Sequence, residues 1–433
     1  MPRSDKIPSP KARRALGRSL RKRTPRSAHA AWHPGSDRPN PVDLINASNR
    51  GRVAALVPIR TQRMLTSPFA FLRGAATVMA ADLAITPNTG SLVQTAGDSH
   101  LANFGAYQTP DRNLVFDVDD FDETLRAPWE WDVKRLAASV AVAARHIGLG
   151  DKAAARSAAA AAGAYRLHMA DCAMMTSLQV WNSRVRAELL ERAARRARSE
   201  RSTIERLTKR AGDSRRIIDA PPLLYHDRAT RGYLGEIRDI FVRYRETLRP
   251  DIRVLIDRYR FVDAAVKVVG VGSVGTRCSL ALLLGSPEDG VLLQVKEARA
   301  SVLEPYSRTA RYANQGERVV AGQRLMQAMP DIFLGWTQDE SGRDYYVRHF
   351  RDVKASADVD TMDAGDLIAY AALCGRTLAR AHARSGDPCV IAGYLGSGGV
   401  FDRAIATFAL RYADQTERDF EVFKKRARTR PGR

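Results

Sequence analysis

Apolar residues recur at helical spacing along most of this 433-residue chain, but near residue 261 the period changes from about 3.6 to 2. Val266-Lys267-Val268-Val269 reads as a strand and Gly270-Val271-Gly272-Ser273-Val274-Gly275 as a loop. Residues 276–284 form a second strand, 285–290 a turn and 291–298 a third strand. One antiparallel block with helices before and after it predicts an α+β chain, with a large helical lobe and a small antiparallel-sheet lobe. The glycine pattern alone would suit a dinucleotide-binding unit. That unit requires a helix directly after the glycines, and here a β-branched, apolar strand follows.

Strand, glycine loop, strand, turn and a strand carrying Lys296 is the arrangement with which kinases cover a nucleotide. Gly270, Gly272 and Gly275, with Ser273 among them, let backbone N–H groups approach phosphate oxygens with no Cβ in the way. Lys296, flanked by apolar residues, is the expected partner of the α- and β-phosphates of ATP. Glu317, in Gly316-Glu317-Arg318-Val319-Val320 on a helix expected over residues 308–329, is the first choice for the carboxylate that pairs with Lys296. Glu297 and Glu304 are rivals for that place. Residues 345–354 read as a strand entering a polar linker, where a kinase joins its lobes and offers backbone groups to adenine.

The second constellation lies upstream, in residues 97–123. Asp98 and Asn103 are five apart in Gly97-Asp98-Ser99-His100-Leu101-Ala102-Asn103. That is the spacing of a kinase catalytic loop, in which the Asp takes the proton of the acceptor hydroxyl and the Asn holds magnesium. Asp120, followed by Phe121, is placed to hold Mg²⁺ with Asn103, and Asp117, Asp119 or Asp122 are possible assistants. Hard oxygen donors with no Cys or His pair nearby suit Mg²⁺ better than zinc. A surface turn with Asx capping, or a calcium-type loop, would use similar residues. Asp132, near the start of a helix expected to run to about His146, is read as a scaffold residue holding the loop's N–H groups. Arg60, Arg63 and Arg73 flank the helix start Ser67-Pro68-Phe69; they are candidates to meet phosphates or to pair with the acids of 117–123.

These readings divide the chain. Residues 1–40 are expected as a basic flexible tail, and 41–150 as a helical lobe carrying the catalytic and metal loops. Residues 151–260 continue it with helices, two or three long ones before Gly212, and 261–355 form the nucleotide-binding β lobe. Residues 356–425 return as helices of the large lobe, and 426–433 end in a basic tail. The net charge of +21 is carried by residues 1–30 (+9), 184–216 (+7) and 424–433 (+6), so the rest is near neutral. A uniformly basic nucleic-acid domain is thereby disfavoured. An anionic partner, nucleic acid or membrane, is a candidate only for the tails and for the 184–216 face, which otherwise reads as solvated helix. Four widely spaced cysteines without a C-x-x-C imply neither a disulfide framework nor a zinc site. With no apolar run of transmembrane length and no apolar signal region, the cytoplasm is the expected location.

Several stretches carry a resemblance. They are Ser67-Pro68-Phe69-Ala70-Phe71-Leu72-Arg73-Gly74, Gly97-Asp98-Ser99-His100-Leu101-Ala102-Asn103-Phe104-Gly105, Asp120-Phe121-Asp122-Glu123, Trp131-Asp132-Val133-Lys134-Arg135 and Gln294-Val295-Lys296-Glu297-Ala298. Over roughly residues 40–425 the chain resembles the bacterial family called domain of unknown function 2252. The resemblance implies a place in the protein-kinase-like superfamily. The central loop is also similar to the H-G-D-x-H-x-x-N of aminoglycoside and choline phosphotransferases, with Ala96 standing where those enzymes have the first His. The order differs from a kinase, because here the catalytic loop precedes the glycine loop. Closed into a circle the two orders agree. The expectation is therefore a circularly permuted, two-lobed protein-kinase-like fold, cut between the helix ending at His382 and the loop starting at Gly97. It requires Lys296 and Asp120 to converge within the span of a phosphate. The expected function is ATP- and Mg²⁺-dependent phosphoryl transfer to an unidentified hydroxyl acceptor. A nucleotide-binding scaffold that transfers nothing, and a nucleic-acid-associated protein, are the rival readings.

Overall fold

The computed structural model describes residues 7–429 apart from 110, 112, 187–202, 228–231, 310, 351–353 and 356. The helices used below are α1 (Pro10–Leu20), α2 (Pro41–Asn49), α3 (Val57–Met64), α4 (Pro68–Gly74), α5 (Ala76–Ala84), α6 (Trp129–His146), α7 (Asp151–Cys172), α8 (Tyr233–Glu246), α9 (Pro250–Ile256), α10 (Gln315–Met326), α11 (Ala364–Ala383), α12 (Pro388–Leu395) and α13 (Val400–Arg428). The strands are β1 (Leu92–Thr95), β2 (Phe104–Gln108), β3 (Leu114–Val118), β4 (Leu125–Pro128), β5 (Thr208–Ala211), β6 (Ser214–Ile217), β7 (Leu224–Tyr225), β8 (Arg260–Lys267), β9 (Cys278–Leu284), β10 (Gly290–Glu297), β11 (Gly335–Gln338), β12 (Asp344–His349) and β13 (Lys354–Ala355).

The helical lobe is built on α6, which is buried from Trp129 to Ala144 and packs against α7, α11 and α13. A helix enclosed on all sides must find partners for its charged residues. Lys134 donates to the Pro87 carbonyl (3.0 Å), Glu130 accepts from the Thr89 N–H (2.7 Å), and Asp132 and Arg135 turn toward the loop at Gly97. The alanine-rich α7 lets α11 come close: a Cβ on Gly375 would lie 2.0 Å from the Ala161 carbonyl oxygen.

The second lobe is a six-stranded antiparallel sheet in the order β11-β12-β10-β9-β8-β7. In β10 the side chains alternate faces, as strand geometry requires. Val291, Leu293 and Val295 pack with Ile237, Tyr244 and Ile252 of α8 and α9. Leu292 joins a smaller apolar cluster on the opposite face, where Gln294 and Lys296 line a cavity between the lobes. Tyr346 stands opposite Lys296 in β12 and Arg348 opposite Gln294, so all four project toward the same side. The three-stranded sheet β13-β2-β3 ties the chain leaving β12 to the helical lobe.

Two expectations are corrected. The tail expected over residues 1–40 is ordered from Pro10. Ser9 caps α1 through its side chain, and Gly17 seats the helix on α12, since a Cβ there would lie 2.0 Å from the Val390 carbonyl oxygen. Arg21 donates to the carbonyls of Gly393 (2.6 Å) and Tyr394 (2.8 Å), and Arg26 to that of Leu395 (2.6 Å). These are the orphan carbonyls at the end of α12, where cations are favoured. The tail's basic residues thus cap another helix. Arg38 then bridges Asp82 and Asp419, fastening this segment to α5 and α13. Residues 151–215, expected as long helices only, contain α7 but also the first strand and part of the second of the hairpin β5–β6. Much of the charged 184–216 stretch, at 187–202, lies outside the described residues, as do 351–353 of the expected linker and 430–433 of the last tail.

Candidate functional site

A cavity of about 770 Å³ opens between the lobes. Asp98, Asn103, Asp120 and Asp122 line it from the helical lobe, and Lys296 with Gly270, Gly272 and Ser273 from the sheet lobe. Gly275 lies behind the lining, at φ +91, where it turns the loop back; its carbonyl accepts from the Val53 N–H (2.7 Å).

The loop at Gly97 is held by one carboxylate. Asp132 accepts from the N–H groups of Ala96 (2.7 Å) and Gly97 (3.0 Å), and its side chain also meets His382 Nε2 (3.0 Å) at the end of α11. This is the scaffold role read from the sequence. Gly97 has φ +80, and a Cβ there would lie 2.1 Å from the Glu123 carbonyl oxygen, so no other residue fits. The turn aims Asp98 into the cavity. Arg135 Nε donates to Asp98 Oδ1 (2.8 Å), while Oδ2 lies 3.7 Å from His100 Nε2. Burial pushes the His100 imidazole down to about 3, so it stays neutral. Asn103 Nδ2 donates to the Asp98 carbonyl (2.8 Å), which closes the loop on itself.

The acidic run divides by strand geometry. Asp117 is in β3 and faces the core: Arg380 (2.6 Å), the Ala328 N–H (2.8 Å) and the Val118 N–H (2.9 Å) take up its carboxylate. It does not line the cavity, so its expected part in metal binding is corrected to a structural one. Asp120 and Asp122 do line it. Lys296 Nζ lies 2.5 Å from Asp122 Oδ2, which also accepts from Ser273 Oγ (2.8 Å), while Asp122 Oδ1 accepts from the Tyr346 hydroxyl (2.9 Å). Burial would raise the pKa of Asp122, but the Lys296 charge and these hydrogen bonds outweigh it and hold the group below the usual range. Burial and the neighbouring Asp122 charge push Asp120 up. Burial alone would discharge Lys296, yet Asp120 and Asp122 raise it well above an ordinary lysine.

Lys296 therefore takes its carboxylate from Asp122. Glu317, the expected partner, sits in the first turn of α10, where its N–H is capped by Asn314. Its neighbour Arg318 turns inward instead and donates to the carbonyls of Thr124 (2.6 Å), Asp122 (2.8 Å) and Arg299 (2.7 Å). Arg318 thus fixes the backbone that carries Asp122. Among the described residues no ion pair joins Arg60, Arg63 or Arg73 to Asp117, Asp120, Asp122 or Glu123. Arg60 donates to Asn49 and the Gly74 carbonyl, and Arg63 to the Val269 carbonyl.

The donors present suit a hard cation: a carboxylate on Asp120, a second on Asp122 and the amide oxygen of Asn103, with no cysteine in the lining among the described residues. Among the described residues no group of three or more His, Cys, Asp or Glu is gathered as a protein-only metal centre. Mg²⁺ usually takes few protein ligands and completes its shell with water and phosphate, so this donor set fits it. Sequence reasoning missed Arg135, Tyr346 and Arg348. Arg135 is three residues after Asp132, a spacing that puts both on one helix face. Tyr346 and Arg348 alternate with apolar residues in a strand, the signal of a polar group facing inward.

No helix among the described residues is long and apolar enough to cross a membrane. Neither a curated protein nor a solved structure matches the chain. The model of one family does, over residues 52–426, and that span includes every residue placed in the cavity above. The chain belongs to that family, described as uncharacterized protein conserved in bacteria (DUF2252).

Proposed function

We propose that the protein is an ATP- and Mg²⁺-dependent phosphotransferase on a circularly permuted protein-kinase-like fold, acting on a hydroxyl acceptor. The observation that carries the reading is the 2.5 Å approach of Lys296 to Asp122, in one cavity with Asp98 and Asn103. The reading required Lys296 and Asp120, far apart in sequence, to converge, and both line this cavity. The permutation is supported by the start of the catalytic segment: Gln94 N in β1 donates to Ser385 Oγ (2.8 Å), three residues past His382. A chain leaving α11 could there pass directly into β1.

In this reading Lys296 binds phosphate oxygens beneath the Gly270–Gly272 turn, with Ser273 beside them. Asn103, Asp120 and Asp122 would hold Mg²⁺, which neutralises phosphate charge when bound. Asp98 accepts the hydroxyl hydrogen through the carboxylate edge that Arg135 leaves free. Orientation and charge neutralisation matter more than base strength in phosphoryl transfer.

The test is the melting shift with ATP and Mg²⁺ on the wild-type protein, Lys296→Ala and Asp120→Asn. Stabilisation in the wild type that both substitutions abolish is the expected result. No shift in the wild type would overturn the reading.

A further inference from the structure

Beyond the acidic residues the cavity has a second, cationic end. Arg52, Arg60, Arg73 and Arg299 line it there, together with Ser48 and Thr77. Among the described residues none of these four arginines forms an ion pair with a carboxylate. Three of them are held by groups that position a guanidinium without neutralising it, and Arg73 lies over the Phe69 ring. Arg52 donates to the carbonyls of Ser48 (3.1 Å) and Val274 (2.7 Å), Arg60 to Asn49 and the Gly74 carbonyl, and Arg299 to the carbonyls of Ser48 and Arg50. The Nε atoms of Arg60 and Arg73 are buried with no hydrogen-bond partner. Arg60 is 2% exposed. The helix α5 starts at the same place without a side-chain cap, and Ala76 and Thr77 at its N-terminus line the cavity. Burial lowers the pKa of Arg52 to about 10 and of Arg60 to about 9, and the arginines' mutual repulsion adds to it.

Like charges held together out of water are costly unless a counter-charge joins them. Arg52, Arg60 and Arg299 lie close enough to repel one another, and with Arg73 and an uncapped helix start in the same lining they form an oxyanion site. The cluster adjoins the proposed transfer site: Arg73 is close enough to Asp98 to feel its charge. We infer that this end of the cavity binds the acceptor, and that the acceptor is itself an anion: a hydroxyl compound bearing a phosphate or carboxylate group. The inference rests on the phosphotransferase reading for the word acceptor. The oxyanion subsite stands on its own geometry. In the transfer the acceptor oxygen bonds to the γ-phosphorus and its bond to the β,γ-bridging oxygen breaks. ADP leaves with that electron pair, and the hydroxyl proton passes to Asp98 and on to solvent.

Equilibrium dialysis with inorganic phosphate, and in a second arm with tartrate, tests the subsite at ionic strength matched with chloride. Both arms use the full chain without nucleotide. Binding of phosphate, tartrate or both to the wild type and to Lys296→Ala, weakened about tenfold or more in Arg52→Gln and Arg73→Gln, is the expected result. The arm that binds tells a phosphate ester from a hydroxy acid. Arg73→Lys, which keeps the charge, should retain most of the binding, and this separates loss of charge from loss of fold. Mg-ATP binding by Arg73→Gln should stay within about twofold of wild type. If neither anion binds, or the arginine variants bind them as well as wild type, the subsite is overturned whatever ATP does. If the arginine variants lose Mg-ATP as fully as Lys296→Ala, the arginines serve the nucleotide and the acceptor inference falls. Oxyanion binding with no ATP response in the wild type would uphold the subsite and sink the phosphotransferase reading instead.

Discussion

Two ion pairs drawn from one short acidic run have opposite surroundings. Arg380 and Asp117 are both fully buried, with side-chain exposures of 0% and 0%, and join α11 to β3 inside the helical lobe. Lys296 and Asp122 are exposed by 3% and 23%, and join the sheet lobe to the helical lobe across the cavity. The first pair is completed by backbone groups, the Ala328 and Val118 N–H on the carboxylate and the Met326 carbonyl on the guanidinium. The second has a hydroxyl on each carboxylate oxygen, from Ser273 and Tyr346, and a second acid, Asp120, beside it. Only four residues of chain, 118–121, separate a core clamp from a candidate chemical group. The two cations are almost equally buried; what tells the pairs apart is what lies on the far side of the carboxylate.

The comparison can be broken by mutation. Arg380→Met removes a partner from a carboxylate that water cannot reach. It should cost about 3–5 kcal/mol of stability in urea unfolding. Adding Asp117→Leu should recover only part of that: it removes the unpaired charge but leaves the Ala328 and Val118 N–H groups without their acceptor. Lys296→Met leaves Asp122 with its two hydroxyl donors and an opening to the cavity. It should cost only about 1 kcal/mol while abolishing the response to Mg-ATP. Equal losses from Arg380→Met and Lys296→Met would show that the two pairs are the same kind of thing.

A carboxylate that holds backbone at the edge of the cavity should fall between them. Asp132 accepts from two N–H groups and meets His382, with a side chain 2% exposed. Asp132→Asn turns one of its oxygens into a donor that faces another donor. The expected loss is about 2–3 kcal/mol, and any phosphotransfer should fall further than stability does, since the loop it releases carries Asp98. A loss confined to stability would make Asp132 a core residue like Asp117.

Much of this was legible in the chain. The period change near residue 261 marked the sheet lobe, and β8, β9 and β10 fall in it. The loop pattern singled out Asp98, Asn103, Asp120 and Lys296, which line one cavity. Two kinds of information were not legible. Strand pleat decides whether an acid in a run faces core or cavity, and the letters around Asp117 and Asp122 do not state where β3 ends. Long-range partner choice was equally hidden. Glu317 and Arg318 are adjacent, and only the docking angle of α10 decides that the arginine, not the glutamate, reaches the acidic loop. The N-terminal segment reads as disordered by composition because its arginines find their acceptors some 370 residues away, on α12.

That segment supplies the sharpest control. His29 is 0% exposed, and its Nε2 lies 2.7 Å from the Tyr394 hydroxyl, far from the cavity lining. Burial, with the charge of Lys134 adding to it, lowers its pKa to about 3 from an ordinary 6.5. Between those values the unfolded chain takes up a proton that the folded one refuses. The contribution is present in full above the unfolded value and is lost as pH falls from 6.5 toward 3. From pH 7 to pH 5 this is about 2 kcal/mol of lost stability. His100 acts with the same sign, so the isolating measurement is the difference between wild type and His29→Gln over that interval. The substitution should flatten the pH dependence by roughly that amount and leave the Mg-ATP response unchanged, because nothing that titrates at His29 opens onto the cavity. A change in nucleotide response would mean that the N-terminal clasp and the cavity are linked, and the division between enclosed and cavity-facing polar groups would no longer hold.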